Sequence, residues 1–243
     1  MRTNIELIRP VHSSAVALHL QQHAFAAAND LLVALPPDTR ERLWPHLEHV
    51  YLDRRHDVAQ AAIRIEYVYF PVGCLLSVLI HTTSGASAEV GLIGNEGASG
   101  IITLLGESRP PLRVVIDTPG PAYRARLDVL RRLMAADSAL RAVMLRYAAG
   151  TMVELARAVV CNTHHSVSQR LCRTLLARVN RAGTERITMT HENMASMLGT
   201  RRAGVTRAAL ELRHAGIISY SRGRVVVLDR PRLEAAACEC SSG

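Results

Sequence analysis

The sequence predicts an α+β chain in three parts: a roll of short strands, one long helix, and a C-terminal group of short helices closed by a β-hairpin. Three observations carry this. Between Val50 and about Leu127, short β-rich runs alternate with Gly, Pro, Ser and Asp clusters. Residues 127–160 hold the longest apolar repeat at steps of three and four. Almost all of the +8 net charge lies beyond Thr163. The expected boundaries are 1–126 for N-terminal helices and roll, 127–162 for the long helix and 163–243 for the basic C-terminal part.

Residues 15–48 read as helical, with "AVALHLQQHAFAAANDLLVAL" ended by Pro36-Pro37 and a second short helix around "DTRERLWPHL", capped by Asp38. His19 and His23 stand at i, i+4, but with no third ligand in view they read as a partly exposed helix face. The runs "IRIEYVYF", "GCLLSVLIH", "AEVGLIG" and "LRVVIDTPG" have the texture of an all-β roll rather than of alternating βαβ units. Gly91, Gly94, Gly97 and Gly100 do not form G-x-G-x-x-G at a helix start, and no Gly-Lys-Ser/Thr follows, so tight turns explain them at least as well as a phosphate loop. In the long helix, Leu140, Met144, Tyr147, Thr151, Leu155 and Ala158 line one stripe. That stripe can pack on the roll or pair with a second copy of itself. Gly150 lies within it. A further helix follows, with Val167, Leu171, Leu175 and Val179 inward and Gly183 as its stop.

Composition excludes several classes. Half of the residues are apolar (49%), which argues against wholesale disorder. No uncharged apolar run reaches the ~18 residues of a membrane span, and the N-terminus lacks the pattern of a signal peptide, so a cytoplasmic protein without membrane contact is expected. Five scattered cysteines (Cys74, Cys161, Cys172, Cys238, Cys240) do not make a disulfide framework. Cys238-Glu239-Cys240 is a C-x-C with no second close pair, and reads as two reduced thiols; no metal and no cofactor is expected. A cupin-like metal site would have to use His56, His81 and Glu89, whose spacing is unconvincing. No Ser/His/Asp set or phosphate loop is found, so no catalytic residues are assigned and the chain is not expected to be an enzyme.

All 29 basic residues are arginine. From Thr163 onward there are 13 Arg against 6 Asp plus Glu; residues 1–162 hold 16 against 15. A basic module joined to a nearly neutral one suits contact with a polyanion. Within it, "MTHENMASMLGTRRAGVTRAALELRHAG" places Thr190 as the cap of one short helix, with Met194, Ala195, Met197 and Leu198 inward. Gly199 supplies a positive-φ turn. Thr200 caps a second helix with Val205, Ala208, Ala209 and Leu212 inward, and Gly216 ends it. The outer face of that helix begins with Arg201, Arg202, Ala203, Thr206 and Arg207. A guanidinium fork can hold guanine O6 and N7, or a phosphate, through two hydrogen bonds, and a recognition helix inserts its N-terminal end into the major groove. "IISYSRGRVVVLD" then reads as a hairpin with Arg222 and Arg224 at its tip, placed to hold phosphates. Turn glycine, arginine-headed helix and basic-tipped hairpin, in this order, predict a winged helix-turn-helix.

The plan of β-roll, long helix and winged helix-turn-helix resembles the cyclic AMP receptor/fumarate-nitrate reductase (CRP/FNR) superfamily of bacterial transcription regulators, most closely over "ITMTHENMASMLGTRRAGVTRAALELRHAGIISYSRGRVVVLD". The resemblance implies a cyclic-nucleotide-binding-like roll and a dimer seam along the long helix, through Leu140, Met144, Tyr147, Thr151 and Leu155. It implies that Arg202 and Arg207 read bases or phosphates, with Val205 buried between them. Ala203 stands where many members carry a cytosine-reading glutamate, so a different or less strict DNA site is implied. Gly94, Glu96, Gly97 and Arg113 fall in the region of the effector pocket. Glu96 follows Asn95 rather than glycine, and Arg113 is followed by valine rather than serine, which argues against cyclic AMP. The first cysteine is Cys74, so the N-terminal iron–sulfur sensor is not expected either.

The expectation is a homodimeric, sequence-specific regulator binding double-stranded DNA at a two-fold symmetric site, controlled through the roll by a signal other than cyclic AMP. It would contact RNA polymerase if it activates. The alternative is a small-molecule or redox sensor whose basic module contacts RNA or another protein.

Overall fold

The computed structural model describes residues 29–54, 57–107 and 109–241. His19 and His23, most of the first expected helix, and His56 lie outside the described residues. The described residues divide into two compact units, one within 29–78 with 93–152 and one of 79–92 with 153–241.

The first unit opens with α1 (Asp30–Val33), capped by the Asn29 side chain, and α2 (Pro37–Leu43), continued by a 3-10 turn at Trp44–His46. Asp38 does not cap α2. Pro36 occupies the cap position and Pro37 the first helical position, which needs no N–H, leaving Asp38 in the first turn where its charge suits the helix dipole. The roll strands are β1 (Glu48–Leu52), β2 (Asp57–Ala59), β3 (Tyr67–Pro71), β4 (Leu75–His81), β5 (Ser87–Ile93), β6 (Leu112–Thr118) and β7 (Gly120–Arg126). They form a three-stranded sheet in the order β1-β7-β3 and a four-stranded sheet in the order β2-β6-β4-β5. Between β5 and β6 lies the single-turn α3 (Ile101–Leu104).

Of the glycines read as turns, Gly91 lies inside β5, while Gly100 enters α3 at φ 73°. The first core joins Leu32, Leu35, Leu43, Val68, Phe70, Tyr123 and Leu130, and a second, around Val50, Leu52, Leu76 and Val114, fills the roll.

The long helical pattern is broken once. α4 (Leu127–Ala136) ends at Asp137 and α5 runs from Ser138 to His164. Asp137 has extended backbone, and its carboxylate accepts from the amides of Ala139 and Leu140 while also receiving Thr39 and Arg42. A capping carboxylate placed between two apolar stretches stops one helix and starts the next.

Leu140 and Met144, expected in a seam between copies, are 1% and 0% exposed in the first core of their own chain. Tyr147 packs beside them and donates its hydroxyl to the Ala98 carbonyl at 3.2 Å. Of the two uses open to this stripe, its upper half takes packing on its own domain. Leu155 is 41% exposed, and Thr151 is half-buried with its hydroxyl bonded to the Tyr147 carbonyl.

The second unit contains α6 (Val167–Ala182), β8 (Arg186–Thr188), α7 (His191–Met197), α8 (Arg202–His214), β9 (Ile218–Ser221), β10 (Arg224–Val227), α9 (Arg230–Ala236) and a final 3-10 turn at Glu239–Ser241. Ser166 and Gln169 form a capping box at the head of α6, and Gly183 closes it at φ 62°. One core runs through the unit: Leu171, Leu175 and Val179 from α6, Met194, Ala195 and Leu198 from α7 and its end, Val205, Ala208, Ala209 and Leu212 from α8, with Val225, Val227 and Leu233. Every inward residue expected for the two short helices lies in this core or packs on it. The strand order β8-β10-β9 adds a third strand to the expected hairpin.

The tip of the β4–β5 hairpin belongs to this unit. Arg178 of α6, 1% exposed, pairs with Glu89 of β5 at 2.5 Å and also reaches Met197 Sδ at 3.2 Å, while the Ser87 and Ser196 hydroxyls are hydrogen-bonded. Glu89, weighed from sequence as a metal ligand, is engaged by a buried guanidinium.

Candidate nucleic-acid interface

Thr190 and Asn193 form a reciprocal capping box: the Thr190 hydroxyl accepts from the Asn193 amide at 3.1 Å, and the Asn193 side chain accepts from the Thr190 amide at 3.2 Å. This satisfies two amides that a helix start would otherwise leave open. α7 ends at Leu198, and Gly199 turns the chain at φ 56°. Thr200 does not cap α8. Its amide bonds back to the Ala195 carbonyl within the turn, and Arg201 takes the cap position without a side-chain hydrogen bond to the helix. The head of α8 therefore carries two consecutive exposed arginines, Arg201 and Arg202, over a helix N-terminus that favours anions.

Because Val205, Ala208, Ala209 and Leu212 face the core, the other side of α8 faces water. A shallow, open depression there is lined by Arg202, Ala203, Thr206, Arg207, Leu210 and His214, together with Glu211. Arg202 and Arg207 are exposed, and Thr206 is half-buried. The Thr206 hydroxyl donates to the Arg202 carbonyl at 2.9 Å and lies 3.2 Å from His191 Nδ1.

His191 was not singled out from sequence. Its ring stacks on Tyr220 of β9, centroids 4.3 Å apart and planes at 17°, so it joins α7, α8 and the hairpin. Burial, with the nearby Arg202 charge, lowers its pKa below the ordinary imidazole value. Nothing in a lone histidine at a helix start announces this; the contact requires the hairpin to fold back over α7.

The hairpin turns through Arg222 at φ 47° and Gly223 at φ 75°, two positive-φ residues between the paired Ser221 and Arg224. This is the left-handed two-residue turn whose twist matches the strands it joins. Arg224 also pairs with Thr188 of β8, and the Gly223 carbonyl accepts from the Met189 amide at 2.8 Å, so the tip is braced from both sides. Arg222 and Arg224 are exposed. Thr190, Arg201, Arg202, Arg207, Arg222 and Arg224 are thus all exposed on this unit.

The roll residues are placed differently. The Gly94 amide donates to Glu96 Oε1 at 3.1 Å, closing a local turn. Gly97 lies so close to Tyr147 that a β-carbon there would collide with the ring. Arg113 lies on β6 and is half-buried. The space beside Gly97 is thus taken by Tyr147 of the long helix. The tail thiols, read from sequence as isolated, lie instead against Cys161 and His165.

Comparison with known proteins adds two findings. Residues 169–236 match the Crp-like helix-turn-helix domain family. Solved structures share the fold across most of the chain. A transcriptional regulator of the Crp/Fnr family from Eubacterium rectale has TM-score 0.67 and 16% identity, over 85% of this chain and 96% of its own. FixK2 of Bradyrhizobium japonicum has TM-score 0.68 and 16% identity, over 79% and 98%. The c-di-GMP-responsive global regulator CLP of Xanthomonas campestris has TM-score 0.66 and 15% identity, over 79% and 99%. No curated protein sequence matches the chain. The chain therefore carries a Crp-like helix-turn-helix domain within the fold of CRP/FNR-type transcription regulators. No helix among the described residues is long and apolar enough to cross a membrane.

Proposed function

We propose that the protein is a homodimeric, sequence-specific DNA-binding transcription regulator, controlled through its roll by a signal other than cyclic AMP. The observation that carries this is the outward face of the C-terminal unit. Arg201, Arg202 and Arg207 stand at the head of α8, and Arg222 and Arg224 at the braced hairpin tip, with Thr190 capping α7, Thr200 in the turn before α8 and Thr206 among the arginines. α8 enters the major groove with Arg202 and Arg207 toward base edges, and the hairpin holds the flanking phosphates.

The dimer seam uses the exposed side of α5. Leu145, Met152, Leu155 and Val159 recur at steps of seven, three and four and are 47%, 69%, 41% and 66% exposed. Four such side chains in a row on one helix are more apolar surface than an isolated helix face needs, and a second copy of the same row covers them. Of the seam expected from sequence, Leu155 is retained; Leu140, Met144 and Tyr147 are committed to their own core.

Selection of bound sequences from a random duplex pool tests the reading. A two-fold symmetric consensus with half-sites about ten base pairs apart is expected. Enrichment of no sequence, or equal retention of single-stranded RNA, would overturn it in favour of a basic module that contacts RNA or protein.

A further inference from the structure

Cys161 and His165 lie one helical turn apart where α5 ends, and Cys238 and Cys240 come from the tail beyond α9. Leu233 of α9, fully buried in the core of the second unit, anchors the tail so that the final 3-10 turn lies near α5's end. Three thiol sulfurs and one imidazole nitrogen thereby converge, all within 4.8 Å of one another. Cys161 Sγ and Cys238 Sγ are 3.5 Å apart, and Cys240 Sγ is 3.7 Å from His165 Nδ1. A tetrahedral ion with metal–sulfur bonds of about 2.3 Å and metal–nitrogen bonds of about 2.0 Å sets its ligand atoms roughly 3.5–3.8 Å apart. Two of the six separations thus already match the edges of such a tetrahedron, and the remainder lie within 4.8 Å.

We propose that Cys161, His165, Cys238 and Cys240 bind one zinc ion, as a structural clamp between the end of the long helix and the C-terminal tail. The donor set defines the ion. Three thiolates and an imidazole suit a thiophilic divalent metal, and four protein ligands leave no open position for catalysis. An iron–sulfur cluster would interpose further metal and sulfide atoms and hold the thiolates further apart than they are. Cys161 is fully buried and Cys238 2% exposed, which closes the inner side of the site.

The surroundings fit the same ion. His165 Nε2 lies 3.2 Å from Glu239 Oε1. With Nε2 carrying the proton and donating to that carboxylate, Nδ1 presents its lone pair toward the sulfurs, the arrangement that orients metal-bound histidines. Binding releases one proton from each of the three thiols. With two positive charges on the ion and three negative on sulfur, the centre carries a net charge of −1. Arg170 of α6, 9% exposed, interacts electrostatically with Cys161 and Cys238 and supplies the opposing charge. The same guanidinium donates to the carbonyl of Leu198, immediately before the Gly199 turn. Arg170 therefore links the clamp to the turn that sets α8 against α7.

The test uses full-length protein without a histidine tag, reduced, stripped with chelator and then titrated with zinc chloride. One zinc per chain is expected by elemental analysis, and cobalt(II) in its place should give the visible bands of a tetrahedral site with thiolate charge transfer. Cys240→Ser, at the partly exposed edge, should keep the native circular dichroism and lose zinc to a chromophoric chelator. Glu239→Gln should weaken retention by about 10–100-fold. Unchanged zinc affinity in Cys240→Ser and in Cys161→Ser/Cys238→Ser would overturn the proposal. So would stoichiometry well below one in the reduced wild type, with Cys161 and Cys238 recovered as a disulfide on oxidation.

Discussion

Arg178 of α6 holds Glu89 of the β4–β5 hairpin at 2.5 Å, with the two side chains 1% and 11% exposed. A pair this far from water gains its worth from being complete, because each ion helps to offset the desolvation of the other. Glu89→Ala should therefore destabilise the protein by about 3–5 kcal/mol, because it removes the opposing charge from a buried guanidinium. The double change Arg178→Met/Glu89→Met should lose far less. Urea unfolding of the three proteins checks this; equal losses in the single and double variants would mean that the pair acts through shape and not charge.

The long helix makes a second prediction that separates its two faces. Met144→Asp places an unpaired charge in a fully buried position and should cost about 4 kcal/mol or more of stability. Met152→Asp, at a position 69% exposed, should leave the fold intact and yield monomers by sedimentation equilibrium at micromolar concentration. Each apolar side chain removed from water in the seam contributes roughly 1.5–3 kcal/mol, so one charge in the row is enough to open it. A Met152→Asp protein that still sediments as a dimer would place the seam elsewhere.

How far the sequence could be read depended on what kind of signal each feature leaves. The inward faces of α7 and α8, the Gly199 turn and the Arg222-Gly223 hairpin are local patterns, and all are found in the structure. The stripe from Leu140 to Leu155 is likewise a local apolar repeat. Periodicity says that a face is buried, however, not by what, and the roll of the same chain covers its first half. β1 and β7 left weak signals, because β1 carries Glu48 and His49, and β7 carries Gly120, Pro121 and two arginines. Strand pairing rather than composition makes them strands. Cys161 and Cys238 are 77 residues apart, so no spacing rule connects them; only the folding back of α9 does.

The roll carries a third prediction. Since Tyr147 fills the space beside Gly97 and Arg113 is followed by valine, cyclic AMP should neither raise the melting temperature nor strengthen DNA binding. A ligand at 100-fold excess over its Kd would stabilise the fold by about 2.7 kcal/mol, well within what a thermal scan detects. A clear upward shift with cyclic AMP would show that Tyr147 moves aside.

His191 gives a pH dependence with a definite sign. Burial and the Arg202 charge lower its pKa in the folded protein, so below the ordinary imidazole value the unfolded chain takes up a proton that the folded one resists. Its contribution is therefore complete at neutral pH and declines as pH falls through about 6.5 toward the depressed folded value, below which it levels off. His191→Gln, which cannot take up a proton, should show a smaller fall in urea midpoint between pH 7.5 and pH 5.5 than the wild type. Parallel falls in the two proteins would rule His191 out as a source of acid sensitivity.

The arginines of the outward face divide by position, and so should their effects on DNA. Arg202 and Arg207 lie near the head of α8, the part of a major-groove helix that meets base edges, and Arg222 and Arg224 lie at the hairpin tip, the part of a wing that meets phosphates. Loss of a bidentate arginine–guanine contact costs about 1–3 kcal/mol per half-site and relaxes the preference at that base. Loss of a phosphate contact weakens binding to every duplex alike and reduces the salt dependence by about one charge per half-site. Arg202→Ala or Arg207→Ala should therefore narrow the gap between the selected and a scrambled duplex. Arg224→Ala should lower both affinities together and flatten the plot of log affinity against log salt. Fluorescence anisotropy at several salt concentrations measures both quantities. If all three variants lower both affinities equally, α8 attracts the polyanion without reading it, and sequence preference must come from the shape of the DNA.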